Sequence, residues 1–588
     1  MEREEEDSRI LNSKFVLDHV GEVSVTLNSD GLSWIKVDSF NKNNDAGSSC
    51  LGKQSVSKRD TTINYSDAYA VEFIDWGLIE EPAIGKAPGR LLGRTARTSE
   101  MFRFTVHCVR KSKTQPCLWK TSIYTFGHKE LRTCHLWVAR INFSLDMEAG
   151  RPKCLLVFVN PRSGKGNGRR TWDEVAPIFR LAQVQTKVLV TSKAGQALDA
   201  MSGISKRELS RYDGILAVGG DGFFNEILNG FLLSRHKAPY PPSPNDFGHS
   251  VHKNDNTLVY VKETCAETSE PIKSQTESLR PEDNKCDSAD REDNFLFPNE
   301  RFRFGLIPAG STDAIVMCTT GARDPTTSAL HIVLGKRISL DIVQIVRWKA
   351  TFTSKEEISV RYAASFAGYG FYGDVITESE RYRWMGPKRY DYAGTKVFLK
   401  HSLYEAEVTY VEDIKDESSS TGCRAKSVLG PPKKSERVVC RVNCDVCNTK
   451  SVQKSEPPIR ESHLRDLKWL RSRGKFINVG AAVISCRNEK APDGLVADAH
   501  LSDGFLHLLL IKDCPRASYL WHLTQLARKG GHPLNFEFVE HHKTLAFTFT
   551  SIGKESVWNV DGELFSAHQL SAQVFRGLVS LFATGPEV

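Results

Sequence analysis

The chain has 588 residues, room for two or three domains with sizeable cores, and its 40% hydrophobic and 26% charged content with a mean hydropathy of -0.35 describes a water-soluble protein. No run approaches the roughly 18 to 20 unbroken apolar residues of a membrane span. The net charge of +8 is modest for this length and its basic residues are scattered, so nucleic acid is not an expected partner, whereas weak attraction to an anionic membrane surface is allowed. The acidic start, MEREEEDSR, lacks the apolar stretch of a secretory signal and the arginine-rich character of a transit peptide, so the expectation is a cytoplasmic protein peripherally associated with membranes. Fourteen cysteines in such a chain are expected to be mostly reduced thiols.

Residues 1–145 read as a β-rich module. FVLDHVGEVSVTL and LSWIKV flank the turn sequence NSDG, MFRFTVHCVRK and CLWKTSIYTF alternate in the same way, and residues 41–60 form a polar loop. KELRTCHLWVARINFSL closes the module as a helix whose apolar face is expected at Leu131, Leu136, Trp137 and Ile141. Strands closed by a C-terminal helix carrying a Trp are similar in pattern to a pleckstrin-homology domain; a plain β-rich packing domain fits the same pattern.

Residues 150–335 read as an α/β domain with a parallel sheet. A buried strand, Leu155 to Val159, runs into Asn160, Pro161 and a loop with Gly164, Gly166 and Gly168, then into an amphipathic helix through Trp172, Val175, Ile178 and Phe179. The spacing is not that of a Walker A loop, yet alternate glycines expose backbone N–H groups and Arg162 and Lys165 add positive charge. A short strand ends at Thr191 and a helix begins near Gly195. GILAVGGDGFFNEILNGFLL then supplies strand, turn and helix, with Gly219, Gly220, Asp221 and Gly222 at the apex and Phe223, Ile227, Leu228 and Phe231 on one helix face. A lone GGDG is equally served by Asp221 as a helix cap. Residues 235–300, polar and aperiodic, read as a disordered insertion. RFRFGLIPAGSTDAIV brings a third strand and glycine turn, at Gly310, Ser311, Thr312 and Asp313. Three glycine turns at the ends of parallel strands are placed to converge on one ligand.

Residues 336–588 read as an antiparallel β-sandwich, with strands in ISLDIVQIVRW, EEISVRYAASFAGYGFYGDVI, TKVFLKHSLYEAEVTYVED, KFINVGAAVISC, GFLHLLLIKD, FEFVEHHKTLAFTFTS and SVWNVDGELF, and helices after Asp374 and at RASYLWHLTQLARKG. LSAQVFRGLVSLFA is a last strand returning to the core. A polar insertion at 413–463 holds Cys440, Cys444 and Cys447, whose spacing suits a structural zinc, with Cys423 or His463 as fourth ligand, or merely a set of redox-labile thiols. The fold class is thus α/β plus β.

NPRSGKGNG, GGDGFFNE, IPAGSTDA and NVDGE, in that order, resemble the diacylglycerol and sphingolipid kinase family from about residue 153 to 586. The β-rich front module, YGFYGDVITESERYRWMGPKRYDYAG and CRVNCDVC point to its ceramide-phosphorylating branch, and Phe223, where many diacylglycerol kinases have Thr, puts a diacylglycerol substrate in doubt. The resemblance implies an ATP-dependent, Mg²⁺-assisted lipid kinase of sphingolipid metabolism that acts on ceramide at a membrane surface it visits. It implies that Asn160, Pro161, Arg162, Ser163, Gly164 and Lys165 line the ATP phosphates, and that Thr191 and Gly195 belong to the nucleotide pocket. It further implies that Glu226, Gly310, Ser311 and Thr312 contact nucleotide, that Arg383 and Arg389 face phosphate, and that Asp561, Gly562 and Glu563 close the site. Gly219, Gly220 and Gly222 meet the lipid, whose hydroxyl gives its proton to Asp221, with Glu563 a rival carboxylate. A sphingoid-base, diacylglycerol or NAD kinase and a non-catalytic lipid-sensing scaffold are the alternatives; a scaffold has no need of all the glycine turns together with Asp221 and Glu563.

Overall fold

Strand alternation and helix periodicity are satisfied in three sequential layers of one computed structural model, which describes residues 10–37, 61–81, 97–164, 166–247, 257–258, 297–386, 388–412, 464, 467–497 and 499–585. The first layer is an antiparallel sheet of β1 (Leu11–Leu17), β2 (Gly21–Leu27), β3 (Gly31–Lys36), β4 (Thr61–Asn64), β5 (Ala68–Glu81), β6 (Arg97–Lys111) and β7 (Trp119–His128), ordered β4-β3-β2-β1-β7-β6-β5. Asn28 tightens the β2–β3 turn by accepting the N–H groups of Asp30 and Gly31. Helix α1 (Leu131–Met147) covers the sheet with Cys134, Trp137, Ile141 and Leu145, and Trp137 donates to Ser13 at 3.1 Å while its ring meets Phe15. Leu131 and Leu136, expected on that face, are exposed, because the buried stripe is centred on Trp137 and continues to Leu145.

The second layer follows the expected α/β alternation: β8 (Cys154–Val159), α2 (Gly168–Leu181), β9 (Gln185–Val190), α3 (Gln196–Gly203), α4 (Lys206–Leu209), β10 (Gly214–Gly219), α5 (Asp221–Arg235), β11 (Thr257–Leu258), β12 (Arg303–Pro308), α6 (Ala314–Thr319) and α7 (Pro325–Val333). Strands β9, β8, β10 and β12 pair in parallel, and β10 is buried along its whole length. The first layer shares the core of the second: Tyr69, Ala70 and Trp119 pack with Val157, Leu330 and Ile332. Trp119 also exchanges backbone hydrogen bonds with the Thr327 hydroxyl, and its ring meets His331 at 4.0 Å. Removing a buried Trp costs about 3–5 kcal/mol. Trp119→Ala is therefore expected to split the thermal transition in two and to speed proteolytic separation of the front layer, where wild type unfolds as one unit.

The third layer contains β13 (Ile338–Lys349), β14 (Glu356–Ala363), β15 (Phe366–Gly370), α8 (Phe371–Glu380), α9 (Lys388–Lys400), β16 (Tyr404–Val411), β17 (Trp469–Ala482), β18 (Leu506–Lys512), α10 (Arg516–Ala527), β19 (Val539–Thr544), β20 (Ala546–Ile552), β21 (Trp558–Val560), β22 (Glu563–Phe565) and β23 (Gln569–Leu581). Two expectations change here. TKVFLK is helical, since Ala393 and Val397 lie four apart on the buried side of α9, and the segment expected as one strand from Glu356 breaks at Gly370 (φ 83°), where α8 begins. The third layer is also not detached from the second. Strand β23 pairs antiparallel with β13 and β20, and its end lies parallel to β12 at Phe304–Leu581, so a single 16-stranded sheet runs through both.

The insertion expected from residue 235 begins later. The carbonyls of Pro239 and Pro242 accept hydrogen bonds from Gln573 and Ser571, and Phe247 packs on Trp469. Most of its remainder, the polar loop 41–60 and the whole 413–463 insertion with Cys423, Cys440, Cys444, Cys447 and His463, lie outside the described residues.

Candidate active site at the strand ends

The carboxyl ends of β8, β10 and β12 bring the three glycine turns together. Asn160 donates its N–H to Val218 at 3.1 Å and accepts the Arg162 N–H at 3.0 Å, folding the first turn back on the central strand. Gly164 holds a left-handed backbone (φ 61°), and a Cβ there would stand 2.7 Å from the Ala309 carbonyl oxygen of the third turn. The second and third turns are closer still. A Cβ on Gly310 would meet the Gly220 Cα and the Asp313 Oδ1, each at 2.5 Å. Gly310→Ala is expected to spread the two turns and lower kcat/KM about 10²-fold with little loss of melting temperature, since misplacement of about 1 Å suffices for that; steady-state kinetics beside a melting curve checks it.

Asp221 opens helix α5, yet its carboxylate caps a different helix. Its two oxygens accept the N–H groups of Ala314 (2.8 Å) and Ile315 (3.0 Å), at the start of α6. Burial pushes its pKa up to about 7; the Ile315 and Ala314 donors oppose the rise, and the charges of Asp313 and Asp561 add to it. Asp313, fully buried and left-handed (φ 52°), accepts the Gly310 N–H and pairs with Arg323 at 2.8 Å. Arg323 also donates to the Gly310 carbonyl and reaches Glu489, so one guanidinium clamps the third turn.

Other expected residues are placed as follows. Glu226 accepts the N–H groups of Ala197 (2.9 Å) and Leu198 (3.4 Å), capping α3 just beyond the Gly195 turn. Thr191 is buried, with its hydroxyl turned to the Val159 carbonyl. Ser163 is buried in the first turn, while Ser311 and Thr312 are exposed on the third; Pro161 and Arg162 lie beside Ser163, and Lys165 lies outside the described residues. Asp561 does not face solvent. Its carboxylate accepts the N–H groups of Ala364 (2.7 Å), Ser365 (3.0 Å) and Phe366 (2.8 Å), the Ser365 hydroxyl, and the Asn225 amide at 2.6 Å. It fastens the β21–β22 hairpin to the start of β15 and to α5, a structural seam. Gly222 lies 3.7 Å, measured from an added Cβ, from the Asp561 carbonyl oxygen, so the hairpin still meets the Asp221 turn. Exposed Gly562 and Glu563 stand at that junction. Partial enclosure raises the Glu563 pKa; Arg361 opposes the rise, and Glu226 and Asp561 reinforce it.

Arg383 and Arg389 are not drawn to the glycine turns: both pair with Glu380 on α8, and Arg389 also donates to Tyr390. Among the described residues, no group of three His, Cys, Asp or Glu side chains is arranged to hold a metal. Asp313 and Asp561 are tied to protein donors, Asp221 accepts one N–H at each oxygen and keeps a lone pair on each, and Glu563 is the least committed carboxylate. This donor set fits a magnesium ion held mainly by nucleotide phosphates and water, not by an all-protein cage.

Sequence reasoning missed Asn225, Asn229 and Arg323, and placed Asp313 in the third turn without a role for its carboxylate. The two asparagines carried a signal, standing four apart on an otherwise apolar helix, where they bond Tyr362 and Asp561 across the layers. Nothing in the sequence marked Arg323.

Residues 154–251 match the Diacylglycerol kinase catalytic domain, and residues 432–556 match the Ceramide kinase C-terminal domain. The chain is 54% identical to a ceramide kinase of Arabidopsis thaliana over 98% of its own length and 96% of that protein's. It is 48% identical to one of Oryza sativa subsp. japonica (97% and 98%) and 32% identical to one of Homo sapiens (89% and 90%). A diacylglycerol kinase crystal structure from Bacillus anthracis aligns over 74% of this chain and 97% of that one, at 11% identity and a TM-score of 0.38.

Proposed function

The chain belongs to the ceramide kinase family, within the group that carries the diacylglycerol kinase catalytic domain, and from that premise we propose how its own residues phosphorylate ceramide. The protein is an ATP-dependent lipid kinase that produces ceramide 1-phosphate. The observation that carries the mechanism is Asp221, a carboxylate with a pKa near 7 at the meeting point of three glycine turns.

Phosphoryl transfer asks chiefly for positioning and charge stabilisation. The first and third turns, with Asn160 to Gly164 and Gly310 to Thr312, offer backbone N–H groups to the ATP phosphates, and Gly195 leaves open space beside the nucleotide. Magnesium, when bound, neutralises charge between those phosphates. Gly219, Gly220 and Gly222 let the lipid's primary hydroxyl approach Asp221, which orients it and takes its proton as the bond to phosphorus forms. A carboxylate raised by burial toward neutral pH is a better proton acceptor than an ordinary one. Glu563, on the hairpin whose Asp561 carbonyl meets the Gly222 turn, serves the nucleotide side. Through Asp313 and Gly310, Arg323 holds the third turn in register, so it positions without touching substrate.

The antiparallel sheet closed by α1 supports reading the front layer as a pleckstrin-homology-like module, and the antiparallel strands of the third layer support a lipid-binding β-sandwich. Among the described residues no helix is long and apolar enough to cross a membrane, which accords with peripheral access to the lipid. The test is transfer of labelled phosphate from ATP and Mg²⁺ to ceramide, sphingosine or diacylglycerol in matched detergent micelles. Label is expected on ceramide; label on sphingosine or diacylglycerol alone overturns the substrate assignment.

A further inference from the structure

The helical part of the third layer carries large apolar side chains that stand about half or more exposed, Tyr392 meeting Tyr382 by one edge. At the turn joining α8 to α9, Trp384 is 82% exposed. Tyr392 and Leu399 project from the outer stripe of α9, seven residues apart, and Leu520 and Trp521 do the same on α10. The helices form one unit, since Phe371 of α8 and Phe398 of α9 both pack their rings on Tyr519 of α10.

Charge surrounds these side chains with one sign left over. Across residues 371–400 and 513–532 there are nine Lys and Arg against five Asp and Glu. Four of the five acids are engaged: Glu378 with Lys396 and Arg381, Glu380 with Arg383 and Arg389, Asp391 with Lys490, and Asp374 with Tyr404 and Ser556; the fifth, Asp513, is exposed. Exposed Lys388, Lys400, Arg516, Arg528 and Lys529 have no ion-pair partner among the described residues. Projecting aromatics set among unpaired cations match an interface of acyl chains beneath anionic headgroups: the rings enter the boundary and the cations meet phosphate.

We infer that the α8–α9 turn and the outer faces of α9 and α10 form a docking surface for an anionic lipid bilayer. The inference deepens the lipid-kinase reading and rests on it for the identity of the occupant. The placement serves the chemistry. Helix α8 leaves β15 directly, β15 pairs with β21, and Gly373 of α8 sits against the Val557 carbonyl at the entry to the Asp561–Glu563 hairpin. A bilayer under this layer thus lies against a helix tied to the hairpin that meets the Asp221 turn.

The experiment is co-sedimentation of the full-length protein with phosphatidylcholine liposomes, with and without phosphatidylserine, for wild type, Trp384→Ala and Lys388→Ser/Lys400→Ser. Losing two cations is expected to lower partition onto the serine-containing liposomes by roughly thirtyfold at low salt, from about fivefold per cation. Trp384→Ala is expected to lower partition about tenfold on both compositions. All three proteins should phosphorylate a short-chain, water-soluble ceramide equally. Unchanged partition of both variants overturns the docking surface, as does a wild-type dimer in light scattering that Trp384→Ala dissolves, because the occupant is then a second copy. A wild type that binds liposomes but leaves the soluble ceramide unlabelled overturns the kinase reading instead.

Discussion

Replacing Asp221 by Asn is expected to lower kcat by about 10²–10⁴-fold while the protein remains folded. The amide cannot take a proton from the acceptor hydroxyl, and that step has no substitute nearby: Asp313 is locked to Arg323, and Asp561 is committed to the β15 backbone. The stability change has a sign of its own. Burial raises the folded-state pKa of Asp221 to about 7, above the ordinary value of 3.8, so this group favours folding fully below about pH 4, and that contribution is lost as the pH rises through 7. Asn escapes the cost of an ionised buried group but gives up one acceptor for the α6 N–H groups, worth about 1–2 kcal/mol. The variant is therefore expected to melt below wild type at pH 5 and to match or exceed it at pH 8. Calorimetry at the two pH values checks this, and a variant equally destabilised at both would contradict the assigned state of the carboxyl.

Asp561 predicts the opposite pattern, a loss of fold before a loss of chemistry. Asp561→Ala strips an acceptor from three backbone N–H groups and the Asn225 amide in a buried seam, and it asks Ala to hold the left-handed conformation (φ 47°) that Asp tolerates better. The expected cost is on the order of 3–5 kcal/mol. Asp561→Asn keeps the backbone preference and one acceptor, and should recover roughly half of the loss. Denaturant unfolding of both variants measures it. Equal stability of Asp561→Ala and wild type would show that the seam does not hold the hairpin, and with it Glu563, against α5.

The distribution of what the sequence revealed follows from the range of the interactions. The strand-turn-helix units at Asn160, Asp221 and Gly310 were legible because apolar periodicity and glycine placement are local, and their convergence followed from parallel-sheet geometry. The face of α1 was misjudged at Leu131 and Leu136 because periodicity gives a stripe but not its centre, which Trp137 fixes through Phe15 and Ser13 of a strand more than a hundred residues earlier. Asp561 was assigned to the nucleotide site from the resemblance carried by NVDGE; the donors its carboxylate accepts lie in Ala364 to Phe366 and Asn225, invisible to any short window. The same holds for β23, whose apolar run announced a core strand without saying that it would join two sheets. Arg383 and Arg389 were assigned to phosphate from a motif alone, and Glu380, three residues before one and nine before the other, holds both.

The account turns on the protonation of Asp221, and the pH dependence of kcat/KM for ceramide, with nucleotide and Mg²⁺ saturating, tests it most directly. As the proton acceptor, Asp221 must be ionised, so activity is expected to climb with pH to a plateau with a midpoint above the ordinary carboxylate range and, with Mg²⁺ close by, below the value of about 7 that burial gives the unliganded site, and Glu563→Gln should lower the plateau without moving that midpoint. An acid limb centred near 4, or one that shifts with Glu563→Gln, would contradict the assignment and pass the proton to another group.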